Sequence, residues 1–584
     1  MADSQHISTA PELEPGNYVT FQLSVIDQTI IRQYSRCVAC IPLSRAPLRK
    51  GDTVRELTWP ELEQVAAVVV NKFKVALVKT FERYPELAGH ITLDDKVKTG
   101  KNAQLRLPID KDGRAVIDLD QHISQRFHPE FIPYNVQADL GMPNKILKES
   151  ELSSILQKSD LSSDKPTLVI KMELNFIFGA VLAVLSLHHV VVDGTGIGLV
   201  VRHFADAFRS TNGISATDAL KDVVGTFLYT RNIRTTAAAA SKQFKKTVRN
   251  LRNPRENDDL DFLLNRARNI MPLEFRLKEH NALREKVNSS AASWAIEPVC
   301  PEFATAEQLS RFSLTQARRT PMPITALILV LSKASVTAVQ ASLQREATEL
   351  GMRTAFSTFD VLCAIIWAAV TKARHSLEAN DEYLKSLGFS SEIIEETKKT
   401  TKLGIPIDIR KRIGLDPFYI GNAALYTLAE LRQSTVIKPE NLLTVAHAIR
   451  QANNDFDETA VRARIRYLLN AKTTVKPSVD SEGNDMWITS WAGLGRMLDF
   501  GRLKAPELKF EVEMGHPKFF RKLWGAFTDG SAVVLPQDVT IEDAPFEVFL
   551  QLREDVMEAL KVDQELANLD KISRLLQTRI SISD

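Results

Sequence analysis

The chain has 584 residues, more than one compact core holds, so at least two domains are expected. Its 74 basic and 72 acidic residues leave a net charge of +2, which gives no reason to look for nucleic acid or an anionic membrane as a partner. Four cysteines are too few for a disulfide framework at this length, so reduced thiols in a cytoplasmic setting are expected.

The opening MADSQHISTAPELEPGN is polar and lacks the apolar centre of a signal peptide. Val65, Val68, Val69, Phe73, Leu77 and Phe81 then follow helical spacing, and Pro85 ends the pattern. TLVIKMELNFIFGAVLAVLSLHH is rich in β-branched and aromatic residues, is interrupted by Gly179, and reads as two strands joined by a short turn. Its most apolar window, 176–192, is 17 residues long and contains two histidines, which argues for buried strand rather than a membrane span.

Residues 216–320 have a different character, with twelve Lys/Arg against seven Asp/Glu between 241 and 286. They predict a helical crossover or insertion, solvated and partly mobile, outside the domain interface and too poor in apolar residues for a core of its own. The alternative is a basic lip for an anionic ligand, carried by SKQFKKTVRNLR. Residues 321–584 return to α/β alternation, with ITALILVLS and PFEVFLQLRE strand-like and FDVLCAIIWAAVTKAR helix-like. The expected division is therefore an N-terminal domain at 1–215, a crossover at 216–320 and a C-terminal domain at 321–584.

The stretch SLHHVVVDGTG concentrates ionisable chemistry in apolar surroundings. Strand alternation puts Leu185, Leu187 and His189 on one face and Ser186 and His188 on the other, so the two histidines do not share a ligand. A metal site would need more ligands than this. A dinucleotide-binding Gly-x-Gly-x-x-Gly fails because position 199 is Leu. After the turn at Asp193-Gly194, the residues Ile197, Val200, Val201, Phe204 and Phe208 return to helical spacing. Two readings stand on the residues alone: a structural histidine on a buried strand, or a general base at a strand end, for which a pKa near neutrality suits the imidazole. Cys37 and Cys40, an odd number of residues apart on a strand, point to opposite faces and suggest neither metal nor redox chemistry.

His189-x-x-x-Asp193-Gly194 resembles the signature of the BAHD acyltransferases and their fungal relatives, the trichothecene 3-O-acetyltransferase-like branch. LSVIDQ (23–28), which looks like an opening strand and turn, YPELAGHI (84–91), STFDVLCAIIWAAVTKAR (357–374), IDIRKR (407–412), YIGN (419–422), TSW (489–491) and DFG (499–501) are similar to further elements of that family and follow its order. DFGRLKAP departs from the family's Asp-Phe-Gly-Trp-Gly-x-Pro, so a repacked loop is expected there, and the extra length falls mostly in 216–320.

The resemblance implies an α/β fold of two similarly folded, chloramphenicol-acetyltransferase-like domains, mixed sheets flanked by helices, with an active-site channel at their interface. It implies acyl-CoA, acetyl-CoA above all, as co-substrate, with no tightly bound cofactor and no metal. The acceptor would be a hydroxylated small molecule of secondary metabolism, and the protein a monomer without a membrane span or nucleic-acid partner. His189 would be the general base. Asp193 would pair with an arginine, Arg410, rather than with His189, and Gly194 would let the backbone reverse. Strand alternation in MWITSW puts Trp487, Thr489 and Trp491 on one face. Trp491 would then offer its indole N–H to the oxyanion, with Thr489 and Ser490 beside the substrate. Asp499 and Gly501 would be structural. Two other functions compete: a transferase that takes its acyl group from a carrier protein or forms amides, and a non-catalytic binding protein of the same fold.

Overall fold

A computed structural model describes residues 18–46, 55–94, 102–128, 166–210, 215–220, 273–291, 300–305, 308, 323–378, 385–386, 390–391, 400–471, 475, 477–481, 483–494, 498–523, 529–538 and 541–562. The histidine strand, Ala180–His188, lies in the middle of a five-stranded sheet. Ile170–Ile177 pairs with it through a tight turn in which Gly179 has φ 79°, a left-handed conformation open to glycine at no steric cost. Tyr34–Pro42 pairs on its other side, and Ile123–Phe127 and Phe519–Lys522 form the edges. Every residue of Ala180–His188 is buried, which explains a continuous apolar run in place of an alternating one.

Helix Trp59–Arg83 packs in the same core as the helix Gly194–Ser210. A capping box starts the first: the Thr58 N–H donates to Glu61 Oε2 at 2.8 Å. Tyr84 and Pro85 end it. Phe73 sits between the helices with ring centroids 5.2 Å from Phe204 and 5.3 Å from Phe208. Burying a side chain of this kind contributes roughly 1.5–3 kcal/mol.

The second half is built on a six-stranded mixed sheet in the order Ile324–Leu331, Phe546–Arg553, Ser531–Val534, Met486–Ser490, Thr400–Asp408, Ala424–Arg432. The helix Thr358–Glu378 packs on it, and the fully buried Trp367 donates its indole N–H to Thr401 Oγ1 at 3.1 Å. The two halves exchange chain. Val512–Glu513 pairs with Ser44–Arg45, and Phe519–Lys522 pairs with Tyr34–Pro42, so part of the C-terminal half completes the N-terminal sheets.

A third apolar cluster joins the halves, gathering Val25, Ile26, Val287, Ala291, Ile409, Tyr419 and Ala423. Val287 and Ala291 in it correct the expectation that 216–320 lies over the outside of the interface. The helix Leu273–Ser289 turns His280, Arg284 and Val287 inward, at helical spacing, all buried. Composition counts the first two as solvated, whereas here each is buried against a carboxylate. LSVIDQ also differs from the expected strand and turn: the strand is Tyr18–Phe21, and Val25–Thr29 forms a short helix capped by Ser24. SKQFKKTVRNLR, with Lys245, Lys246 and Arg249, lies outside the described residues. Among the described residues no helix is long and apolar enough to cross a membrane.

Candidate active site

His189 follows directly on the central strand as the first residue of the turn. Its N–H donates to Gln33 O at 2.9 Å. The ring is half-buried, and its Nδ1 is fully enclosed, so the accessible edge is the one carrying Nε2. Burial lowers its pKa, Asp193 and the Asn422 carboxamide oppose the shift, and the charge of Lys522 adds to it. The net lowering leaves the imidazole neutral at neutral pH. His188 packs edge-on to Tyr34 at 5.2 Å, and burial drives its pKa down to about 3. It is a structural histidine.

Beyond the strand the chain turns on His188 O, which accepts from Val191 N at 3.0 Å. Asp193 then caps the helix Gly194–Ser210, accepting from Gly196 N at 2.8 Å. The same oxygen, Oδ1, accepts from Arg410 Nη2 at 2.8 Å, and Oδ2 accepts from Ala423 N at 2.9 Å. Arg410 also donates to Tyr419 O at 2.9 Å and Gly421 O at 2.8 Å. Burial works against its charge, but Asp193 and Asp408 outweigh that and raise its pKa. The pair locks the turn after His189 in one half to the loop 409–423 of the other.

Gly194 does not play the part expected of it. Its φ lies outside the left-handed region, and a Cβ built on it would meet nothing within 4 Å. The demand for glycine falls on Gly196, where a Cβ would come within 2.1 Å of Ile420 O. The loop 409–423 packs directly on that helix start, so the backbone contact leaves no room for a side chain.

Trp491 stands one residue past the strand Met486–Ser490, its N–H donating to Val534 O at 2.8 Å and its ring edge-on to Phe520 at 6.5 Å. Trp487 has different surroundings, over Gly404 and 5.0 Å from Tyr426. Thr489 is half-buried and Ser490 exposed at the strand end. Lys522 pairs in register with Cys37, and Cys37 with Leu185, which places it on the Leu185 face of the sheet, from where its charge acts on His189. Its ammonium lies 5.8 Å from the Phe549 ring, and burial lowers its pKa to about 8.

Asp499 and Gly501 lie in a loop on the far end of the helix Gly194–Ser210. Arg209 donates to Asp499 O, and Gly501, at φ 61°, donates to Asp499 Oδ1 at 2.8 Å. Phe500 stacks on Phe73 at 5.9 Å, so this loop buttresses the core. Cys37 and Cys40 are buried in different clusters, with their thiol pKa values pushed up to about 12. Among the described residues no group of three or more His, Cys, Asp or Glu could hold a metal ion.

Besides Lys522, three residues around His189 had no role in the sequence reading. Asp27 and Asn422 lie inside LSVIDQ and YIGN, so their segments were visible though their partnership was not. Arg284, from the crossover, carried no local signal at all. Arg284 Nε donates to Asp27 Oδ2 at 2.9 Å, and Asn422 Nδ2 donates to Asp27 Oδ1 at 2.9 Å and to His189 O at 2.7 Å.

Comparison with known proteins gives consistent matches. O-acetyltransferase pboB of Aspergillus ustus is 23% identical over 212 residues, 35% of this chain and 41% of that protein, so the match spans less than half of that relative. O-acetyltransferase ptmV of Penicillium ochrochloron is 21% identical over 537 residues, 87% of this chain and 91% of its own. The crystal structure of F. graminearum TRI101 complexed with coenzyme A and deoxynivalenol shares the fold, with a TM-score of 0.61 at 18% identity over 94% of this chain and 98% of that one. The family model described as the Transferase family matches residues 139–567, well over half of the chain, and the protein belongs to that family, the BAHD acyltransferases.

Proposed function

We propose that this transferase is an acyl-CoA-dependent O-acyltransferase, moving an acetyl or other short acyl group to a hydroxyl of a small secondary metabolite, with His189 as general base. The observation that carries the reading is a neutral imidazole with an accessible Nε2 edge, whose neighbouring carboxylate, Asp193, is engaged elsewhere by Arg410. Such a ring is a proton carrier and not half of an ion pair. The names of the relatives, O-acetyltransferases, and the coenzyme A bound by TRI101 support the donor and the reaction.

In this mechanism His189 Nε2 takes the hydroxyl proton as the acceptor oxygen bonds to the thioester carbonyl carbon. The carbonyl electron pair moves to oxygen, and the tetrahedral oxyanion accepts the indole N–H of Trp491. Collapse re-forms the carbonyl and breaks the C–S bond, and the imidazolium returns its proton to the thiolate. The products are an ester and free CoA, with the enzyme unchanged. Both substrates held in one complex supply the orientation. Thr489 and Ser490 would touch substrate beside Trp491.

The test is incubation with a panel of acyl-CoAs and hydroxylated metabolites, reading free CoA thiol and product mass. Wild type should give acylated product and CoA in equal amounts. His189→Ala should lose about 10²–10⁴-fold while melting like wild type. Near-wild-type turnover in that variant would refute the base, and a product formed only from carrier-bound acyl groups would refute the CoA donor.

A further inference from the structure

The Nδ1 of His189 is enclosed and makes no regular hydrogen bond, and so is the Oδ1 of Asn422. Enclosed polar atoms left without a partner are costly, so two in one place ask for an explanation. The two residues are in direct contact, Asn422 Nδ2 donating to His189 O at 2.7 Å, and both the His189 carbonyl and the Asn422 carboxamide favour a proton on the ring. The orientation of that carboxamide is fixed by its other partners. Its Nδ2 faces Asp27 Oδ1 and His189 O, which are both acceptors, so a flipped amide would set oxygen against oxygen twice. Oδ1 is therefore the carboxamide atom left for His189, and an oxygen meets Nδ1 favourably only when Nδ1 carries the proton.

We infer that Asn422 is a positioning residue for His189, one that fixes the imidazole proton on Nδ1 and leaves Nε2 free to take the acceptor's proton. The inference rests on the general-base reading above.

What holds Asn422 is a buried charge pair. Asp27 is fully buried, and its oxygens accept from Ser24 N at 2.8 Å, Arg284 Nε at 2.9 Å, and both Asn422 N and Nδ2 at 2.9 Å. Arg284, 1% exposed, lies over the Tyr419 ring at 4.5 Å and donates to Val191 O at 3.3 Å, inside the catalytic turn. A Cβ on Gly421 would come within 2.2 Å of Arg284 Cζ, so the glycine of YIGN makes room for the guanidinium. A buried ion pair is a weak device for stability, since desolvation offsets most of its attraction. It is a good device for holding an amide in one orientation. Arg284 comes from the crossover, Asp27 from the start of the chain and Asn422 from the loop 409–423, so the base is oriented by three remote segments.

The experiment uses full-length protein labelled with ¹⁵N-histidine, with the His189→Gln spectrum subtracted to assign the ring. Long-range ¹H–¹⁵N correlation should show His189 protonated at Nδ1 and bare at Nε2 at neutral pH. Wild-type protein with the proton on Nε2 overturns the inference without recourse to any variant. Asn422→Ala, or the milder Asn422→Ser where the first does not fold, should give a tautomer mixture. Release of CoA from acetyl-CoA with water as acceptor should then fall about ten- to a hundredfold in kcat, short of the loss of the base itself, with KM within about twofold. A variant that keeps both tautomer and kcat overturns the positioning role and leaves the transferase reading intact. Wild type that turns over no acyl-CoA, yet shows the Nδ1–H tautomer lost in Asn422→Ala, sinks the transferase reading and leaves the positioning role standing.

Discussion

Asp193→Asn separates a carboxylate that holds the turn from one that works directly on His189. The substitution keeps the shape but replaces one oxygen by an NH₂. With the amide oxygen toward Gly196 N and Arg410 Nη2, the new NH₂ faces the Ala423 N–H now 2.9 Å from Oδ2. A donor then meets a donor, and an enclosed N–H left unpaired costs about 1–3 kcal/mol. Flipping the amide moves the conflict to Gly196 and Arg410, which is worse. Losing the charge adds to this, because the carboxylate that Arg410 keeps among the described residues is Asp408 at 3.1 Å, a half-exposed partner. Removing one member of a buried pair costs about 3–5 kcal/mol at full strength. With Asp408 still present and the amide still accepting, about 2–4 kcal/mol is expected. For a cooperative unit of 150–250 residues that is a fall of at least about 4 °C in melting temperature. Thermal melting and CoA release should be followed on the same preparation, and both should fall. An inactive variant that melts within about 1 °C of wild type would refute the reasoning and put the carboxylate on His189.

Gly196→Ala should destabilise by about 1–3 kcal/mol, because its Cβ meets the Ile420 carbonyl at 2.1 Å. Gly194→Ala should leave the melting temperature unchanged or higher, since nothing lies within 4 Å and alanine favours the helix; equal melting of the two variants would refute the close approach. Lys522→Met should move the acidic limb of the pH–rate profile to higher pH, because the lysine charge lowers the pKa of His189 and its removal lets the base protonate sooner. An unmoved limb, read by CoA release across pH, would separate Lys522 from the site. Trp491→Phe keeps the packing on Phe520 and removes the indole donor, so kcat should fall about 10²–10³-fold with little change in melting. An unchanged kcat would assign the oxyanion to another donor.

The strand, turn and helix around His189 are legible because the hydrophobic period changes from 2 to 3.6 across Asp193-Gly194, and that change is local. The separation of His188 from His189 follows from the same local rule. The glycines are legible as a turn but not one by one. Sequence favours Gly194, next to the aspartate, whereas the demand falls on Gly196, set by a carbonyl from the loop 409–423. No propensity reports on a backbone that arrives from another half of the chain. Arg284 is the extreme case. Its charge reads as solvated until Asp27 is brought to 2.9 Å, and a count of apolar residues along Leu273–Ser289 is blind to such pairing.

The parts hidden from sequence share a physical origin. Thr400–Asp408 and Ala424–Arg432 are hairpin partners, closed where Ile409 N donates to Ala423 O at 2.8 Å, so the loop between them hangs from a rigid root. From that loop Arg410 takes the carboxylate of Asp193, Ala423 takes its second oxygen, Asn422 takes the carbonyl of His189, and Ile420 seats Gly196. His189 belongs to one half of the molecule and most of these restraints on its turn to the other. A shift of that loop by one ångström would therefore loosen the turn and release the ring together, because both are held by the same few residues. Positioning of this kind needs the two halves to meet in one register, and the third apolar cluster, with Val287 of the crossover inside it, holds them there.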